Sequence, residues 1–182
     1  MALVVTDTCR LPALLGEPWS TLFSLAGSGH YIWRMEWVRP DGYVVTDDQE
    51  RIDIARVHQW LSEESYWAAG SSIDLVSKSV RGSITLGCFG PDGVQVGVTR
   101  LVTDGATFGL LSDVFVDTNF RGLGLGQFLV QSAVDHPEAR ELKRILLATS
   151  DAHDLYRRFG FATLSNPERW MELRSPWPPI RQ

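Results

Sequence analysis

The run Arg121-Gly122-Leu123-Gly124-Leu125-Gly126 constrains this chain more than any other stretch. An apolar segment, Leu110 to Val116, precedes it and reads as a strand; Gln127 to Val134 follows and reads as a helix. Glycines between a strand and a helix let the backbone pass close to a ligand with no Cβ in the way. The first N–H groups of the helix lack an intrahelical partner, and the dipole there favours negative charge. Together they make a cradle for phosphate or pyrophosphate, its donors the backbone N–H groups of Gly122, Leu123, Gly124, Leu125, Gly126 and Gln127. A tight strand–helix turn without a ligand is the plain alternative.

Two kinds of phosphate cradle fail on their residues. A P-loop ends in Gly-Lys-Ser/Thr, and no lysine occurs in this run. The dinucleotide fingerprint needs glycines at positions one, three and six, yet the sixth position is Gln127 counted from Gly122 and Leu129 counted from Gly124. A nicotinamide-dependent oxidoreductase is therefore disfavoured.

A third pattern, Arg/Gln-x-x-Gly-x-Gly/Ala, is matched in order by Arg121, Gly124 and Gly126. Downstream, Arg144 to Thr149 reads as another buried strand and runs into Asp151-Ala152-His153-Asp154-Leu155-Tyr156-Arg157-Arg158-Phe159-Gly160-Phe161. The two blocks, in this order and spacing, resemble the GCN5-related N-acetyltransferase (GNAT) family, and the resemblance runs over residues 40–175. It implies an acetyl-CoA-dependent N-acetyltransferase that passes an acetyl group to a primary amine of a small molecule or peptide by direct attack on the thioester. A GNAT-fold module that binds acetyl-CoA without turnover is the alternative.

The resemblance also assigns roles. The strand before the glycines would splay from its neighbour and offer main-chain groups of Phe115 and Val116 to pantetheine, whose amides need partners once water is excluded. Tyr156 would protonate the departing thiolate, and a backbone N–H near Val116 would serve the oxyanion. Asp113 reads as the base for the amine, directly or through water, as a structural hydrogen-bond partner of a neighbouring loop, or as a group that recognises a substrate cation. Arg121 reads as a charge-assisted phosphate contact, a solvated arginine or an ion pair. Asp151 stands where many family members carry an asparagine that bonds pantetheine; here it is expected near the cofactor or capping the next helix, with Asp154 in the first turn. Tyr66 and Trp67, in the loop over Glu63 to Gly70, would cover the acceptor, with Trp67 as a core plug the competing reading. His58 and His153 read as a core-edge and a helix-surface residue. Asp104 reads as a turn former.

Composition narrows the class. A formal net charge of -5 argues against a nucleic-acid binder. No apolar run approaches the roughly 18 residues of a membrane helix. Two cysteines, Cys9 and Cys88, form no disulfide framework and suggest no metal site; Cys88 reads as a buried small hydrophobe. A cytoplasmic location and a homodimer are both compatible with this.

The pattern along the chain predicts a first strand at Tyr43 to Thr46 and a helix over Ile54 to Leu61, capped by Asp47 or Asp48. A short helix over Ile73 to Val80 follows. Ser83 to Phe89 and Gln95 to Val102 flank a Pro-Asp-Gly turn as a hairpin, and Asp104-Gly105 makes a second turn into Phe108 to Val116. Phe161 to Leu164 and Trp170 to Leu173 are expected as the last strands. The fold class is α/β: a GNAT-like, mixed, mostly antiparallel central sheet with helices on both faces. Residues 35–182 are expected as a single domain. Residues 1–34, with Gly27-Ser28-Gly29 as a joint, are expected as a poorly ordered extension and Met35 as an alternative start. The tail from Ser175 is expected to lack regular structure.

Overall fold

The computed structural model describes residues 20–25 and 33–173. The expectations for the Gly27-Ser28-Gly29 joint, for Cys9 and for the tail from Ser175 lie outside the described residues, as does most of the N-terminal extension.

Seven strands form one sheet in chain order: β1 (Ser20–Leu25), β2 (Trp33–Val38), β3 (Val44–Thr46), β4 (Ile84–Phe89), β5 (Gln95–Thr103), β6 (Phe108–Val116) and β7 (Arg144–Leu146). Every neighbouring pair is antiparallel except β6 with β7. Strand β2 spans the expected 34/35 boundary and pairs with β1, so the sheet extends on both sides of that boundary.

Helices cover both faces. On one lies α3 (Leu125–Asp135), whose Leu125, Phe128, Leu129 and Ala133 bury against Met35, Trp37, Val45, Leu86, Cys88 and Leu111. On the other lie α1 (Ile54–Gln59), prolonged by a π-helical turn over Trp60–Glu64, and α2 (Ile73–Arg81). Val57, Trp60, Leu61, Val76 and Val80 there enclose Phe89, Val98 and Phe115. Two short helices follow among the described residues, α4 (Pro137–Glu141) and α5 (His153–Arg157).

The caps differ from expectation. Asp53, not Asp47 or Asp48, caps α1, accepting from the Arg56 N–H. Asp48 caps the intervening 3-10 turn, Gln49–Arg51, and Asp47 accepts from the Met35 N–H. An extra turn of 3-10 helix moves the start of α1 beyond the reach of either residue. Asp104 is the expected turn former: its Oδ1 accepts from the N–H groups of Ala106, Thr107 and Phe108. The Thr107 hydroxyl and those N–H groups hold its carboxyl well below the usual carboxylate range.

The two terminal strands do not form. Phe161 to Leu164 and Trp170 to Leu173 are irregular, with a 3-10 turn over Pro167–Arg169 between them. A strand gains from burying one face, and these runs bury little of theirs: Phe161 packs against the core, but Met171 and Leu173 are 97% and 98% exposed.

One irregularity shapes the site. Val98 pairs with Phe115 and Arg100 with Ser112, so β6 carries one more residue than β5 between these pairs. The extra residue is a β-bulge, and within it Asp113 takes φ 52°, the left-handed region. The bulge reverses the alternation: Leu111 packs toward α3, whereas Phe115 packs toward α1 and α2. Beyond it β6 runs on to Val116, while pairing with β7 ends at Leu110 and Leu146. From Leu111 to Val116 β6 therefore has no strand paired on that side among the described residues, and this is where the resemblance implies a splay.

Candidate active site

The glycine turn forms as a helix-entry cradle. Gly122 and Gly124 take φ 81° and 74°, and Gly124 is the N-cap of α3 with no side-chain cap. The first bond into the helix runs from the Phe128 N–H to the Gly124 carbonyl. Among the described residues, the N–H groups of Gly122 to Gln127 meet no protein acceptor. The space before them is open: a Cβ on Gly122 would meet nothing within 4 Å, and one on Gly126 only Leu155 at 3.9 Å and Val116 at 4.0 Å. Six unpaired donors around an open concavity fit a pyrophosphate.

Arg39, in the turn between β2 and β3, fastens this loop. It donates through Nη1 to the Leu123 carbonyl at 3.0 Å and lies over the rings of Tyr43 and Phe128. A cavity of about 420 Å³ opens beside the cradle, lined by Arg39, Asp41, Leu123, Gly124 and Gln127 among others. Arg121 is exposed, as the solvated reading expects, and among the described residues it makes no ion pair. Its Nε donates to the Val116 carbonyl at 3.2 Å, and its guanidinium lies over Phe115.

At the splay four side chains converge. Tyr156, on α5, is 9% exposed, and its ring stands edge-on to Phe161 at 6.0 Å. Among the described residues its hydroxyl has no hydrogen-bond partner, unlike a satisfied core tyrosine. Burial, with smaller contributions from Tyr66 and Asp151, raises its pKa, so the phenol keeps its proton at neutral pH. Tyr66 and Trp67 cross the cleft from the loop after α1, their rings perpendicular at 4.9 Å. The Tyr66 hydroxyl accepts from Ser150 N–H at 3.2 Å and Ser150 Oγ at 2.6 Å, on the loop between β7 and α5. Trp67 is 43% exposed, so it is no core plug; its Nε1 donates to Asp113 Oδ1 at 3.1 Å.

Asp113 is fully engaged. Its Oδ2 accepts from Arg100 Nε at 2.6 Å, and Arg100 Nη1 also donates to the Ser79 carbonyl and Ser83 Oγ. Both carboxylate oxygens thus hold donors, which suits a strut better than a proton acceptor. Arg100, missed from sequence, was signalled by a charged residue inside an apolar strand, for such a residue needs a partner. Ser150 and Arg39 carried no comparable signal.

Asp151 is exposed and does not cap α5, whose N-cap is Ala152 with no side-chain bond. Thr149 Oγ1 accepts from the Ala152 N–H in its place. Asp154 lies in the first turn as expected, and His153 is exposed at the helix start. His58 is a core-edge residue, its Nε2 2.9 Å from the Ser71 carbonyl. Cys88 is fully buried, and burial pushes its thiol up to about 12. No described helix is long and apolar enough to cross a membrane.

A mixed, mostly antiparallel sheet with helices on both faces and a glycine turn leading from β6 to α3 defines an α/β protein of acetyltransferase-like architecture. The model of the acetyltransferase (GNAT) family matches residues 54–161, more than half of the chain. The chain belongs to the GNAT acetyltransferase family. It is 30% identical over 139 residues, 66% of this chain and 78% of the relative, to a candidate acetyltransferase of Gibberella zeae. A solved GNAT-family candidate acetyltransferase of Xanthomonas campestris is 39% identical, with a TM-score of 0.71 over 74% of this chain and 94% of that one. A Mycobacterium tuberculosis structure solved in complex with CoA shares the fold at 20% identity, with a TM-score of 0.54 over 62% of this chain and 68% of that one.

Proposed function

We propose that the chain is an acetyl-CoA-dependent N-acetyltransferase acting on a primary amine of a small molecule or peptide. The observation that carries this reading is the juxtaposition of an open turn of N–H donors, the edge of β6 beyond its pairing with β7, and a phenol with no partner among the described residues. The N–H groups of Gly122 to Gln127 would hold the pyrophosphate, and the parted edges of β6 and β7 would receive the pantetheine arm. The CoA-bound fold relative supports the ligand class.

The chemistry then follows from the groups at the splay. An amine with a pKa of about 10 is mostly cationic at neutral pH and must lose a proton before it attacks. Its nitrogen bonds the acetyl carbon, the carbon–sulfur bond breaks, the sulfur takes a proton, and the proton shed by the nitrogen as it becomes an amide returns through solvent water to the group that protonated the sulfur. Tyr156 supplies that proton: it is protonated, at the cleft, and engaged with no other acceptor. Asp113 serves by position, holding Trp67 with Arg100 behind it, rather than as the base.

The reading is tested by release of CoA thiol from acetyl-CoA across a panel of primary amines. Turnover with at least one amine, falling by roughly 10²-fold in Tyr156→Phe with acetyl-CoA affinity kept, is expected for loss of a general acid. Acetyl-CoA binding with no turnover on any amine would favour the non-catalytic binding module. Unchanged turnover in the variant would remove Tyr156 from the mechanism.

A further inference from the structure

The Tyr66 hydroxyl is held in an unusual way. The Ser150 N–H can only donate, and Ser150 Oγ donates at 2.6 Å, so both bonds fill lone pairs of the phenol oxygen. Among the described residues the phenol's own proton meets no acceptor. Donors into a hydroxyl polarise it and strengthen it as a donor in turn. The residue is also fixed from its other side, since Trp67 stands edge-on to its ring and is tied to Asp113, which is tied to Arg100. Tyr66 therefore bridges the two arms of the splay, from the loop after α1 to the loop before α5. It lies near enough to Tyr156 to affect its titration.

Resting on the acetyltransferase reading above, we infer that Tyr66 is a catalytic residue that donates a hydrogen bond to the carbonyl oxygen of the bound acetyl group, with Ser150 as its positioning residue. Tyr156 then attends the sulfur and Tyr66 the oxygen, so the two phenols divide the reacting thioester between them. A donor fixed in place before the reaction stabilises negative charge as it develops on that oxygen and needs no reorganisation to do so. The assignment gives the exposed Tyr66, 61% open, a task distinct from covering the acceptor.

The acetyl group is the part that distinguishes acetyl-CoA from CoA, so paired binding isolates the contact. Wild type, Tyr66→Phe and Ser150→Ala are titrated calorimetrically with acetyl-CoA and with CoA. Phenylalanine keeps the ring and its edge contact with Trp67, and loses only the hydroxyl. The expected result is a roughly 3- to 10-fold loss of acetyl-CoA affinity in Tyr66→Phe, the size of one neutral hydrogen bond, with CoA affinity kept within about twofold. Ser150→Ala should show a smaller loss confined to acetyl-CoA, and it reads the same difference if Tyr66→Phe folds poorly. Equal weakening of both ligands, or of neither, would overturn the assignment while leaving the acetyltransferase reading standing. Failure of wild type to bind either ligand would remove both.

Discussion

Replacing Asp113 separates the strut from the base. Arg100 is 12% exposed at its side chain and donates to Asp113 at 2.6 Å, to the Ser79 carbonyl at 3.2 Å and to Ser83 Oγ at 3.3 Å. In Asp113→Asn the guanidinium keeps acceptors but loses its counter-charge. Breaking a buried pair at one partner costs about 3–5 kcal/mol; the remaining acceptors place this variant near the low end, about 3 kcal/mol. Asparagine tolerates the left-handed φ of 52°, so the backbone adds little. Asp113→Ala loses the Trp67 bond as well, about 1 kcal/mol, and strains at positive φ by about 1 kcal/mol more, for a total of about 5 kcal/mol. In a chain of 182 residues, about 3 kcal/mol lowers Tm by roughly 6–12 °C. Urea unfolding followed by circular dichroism, with the m-value checked for constancy, measures the series. Adding Arg100→Met to Asp113→Asn should recover part of the loss, because an apolar side chain leaves no charge stranded. An asparagine variant within about 0.5 kcal/mol of wild type, well under the estimate for a broken buried pair, would refute the strut.

Three other outcomes are expected. Gly124→Ala, at positive φ, should lose roughly 1–2 kcal/mol of stability and bind acetyl-CoA about tenfold more weakly if one N–H contact to phosphate is lost, whereas Gly126→Ala, with ordinary contacts and ordinary φ, should match wild type in calorimetric titration. Equal behaviour of the two alanines would misplace the cradle. Cys88 is pushed up to about 12 from an ordinary 9.0, so the folded state holds its proton where the unfolded chain gives it up. The stability tied to this thiol is whole below pH 9 and falls as pH rises toward about 12, at up to about 1.4 kcal/mol per pH unit. Cys88→Ala should flatten that slope in urea unfolding from pH 8 to pH 11; an unchanged slope would assign it elsewhere. The Ser132 hydroxyl on α3 is buried with no partner among the described residues, so Ser132→Ala should be neutral or stabilising by about 1 kcal/mol in thermal unfolding, and a clear loss of stability would reveal a hidden bond.

Local signals made the glycine turn, the central hairpins, α2 and α3 legible in the sequence. Strand–glycine–helix succession is local chemistry, and positive φ at Gly122 and Gly124 is what glycine permits. Strand β2 also carried its signal: Met35 and Trp37 alternate with Arg34 and Glu36, and the first pair is buried. Other features are long-range by nature. A bulge of one residue leaves no mark in composition, yet it turns Phe115 toward α1 and α2 and sets Asp113 against Arg100. The clamp from Arg39 to Leu123 joins residues 84 apart. The last two strands failed for the opposite reason: their residues favour strands, but beyond Phe161 little of either run is buried.

The most direct test of the central claim is calorimetric titration of the purified protein with acetyl-CoA, with NADH as the control dinucleotide. Saturable micromolar binding of acetyl-CoA alone, weakened in Gly124→Ala, is the predicted result. Binding of NADH, or of neither ligand, would contradict it and return the glycine turn to a structural role.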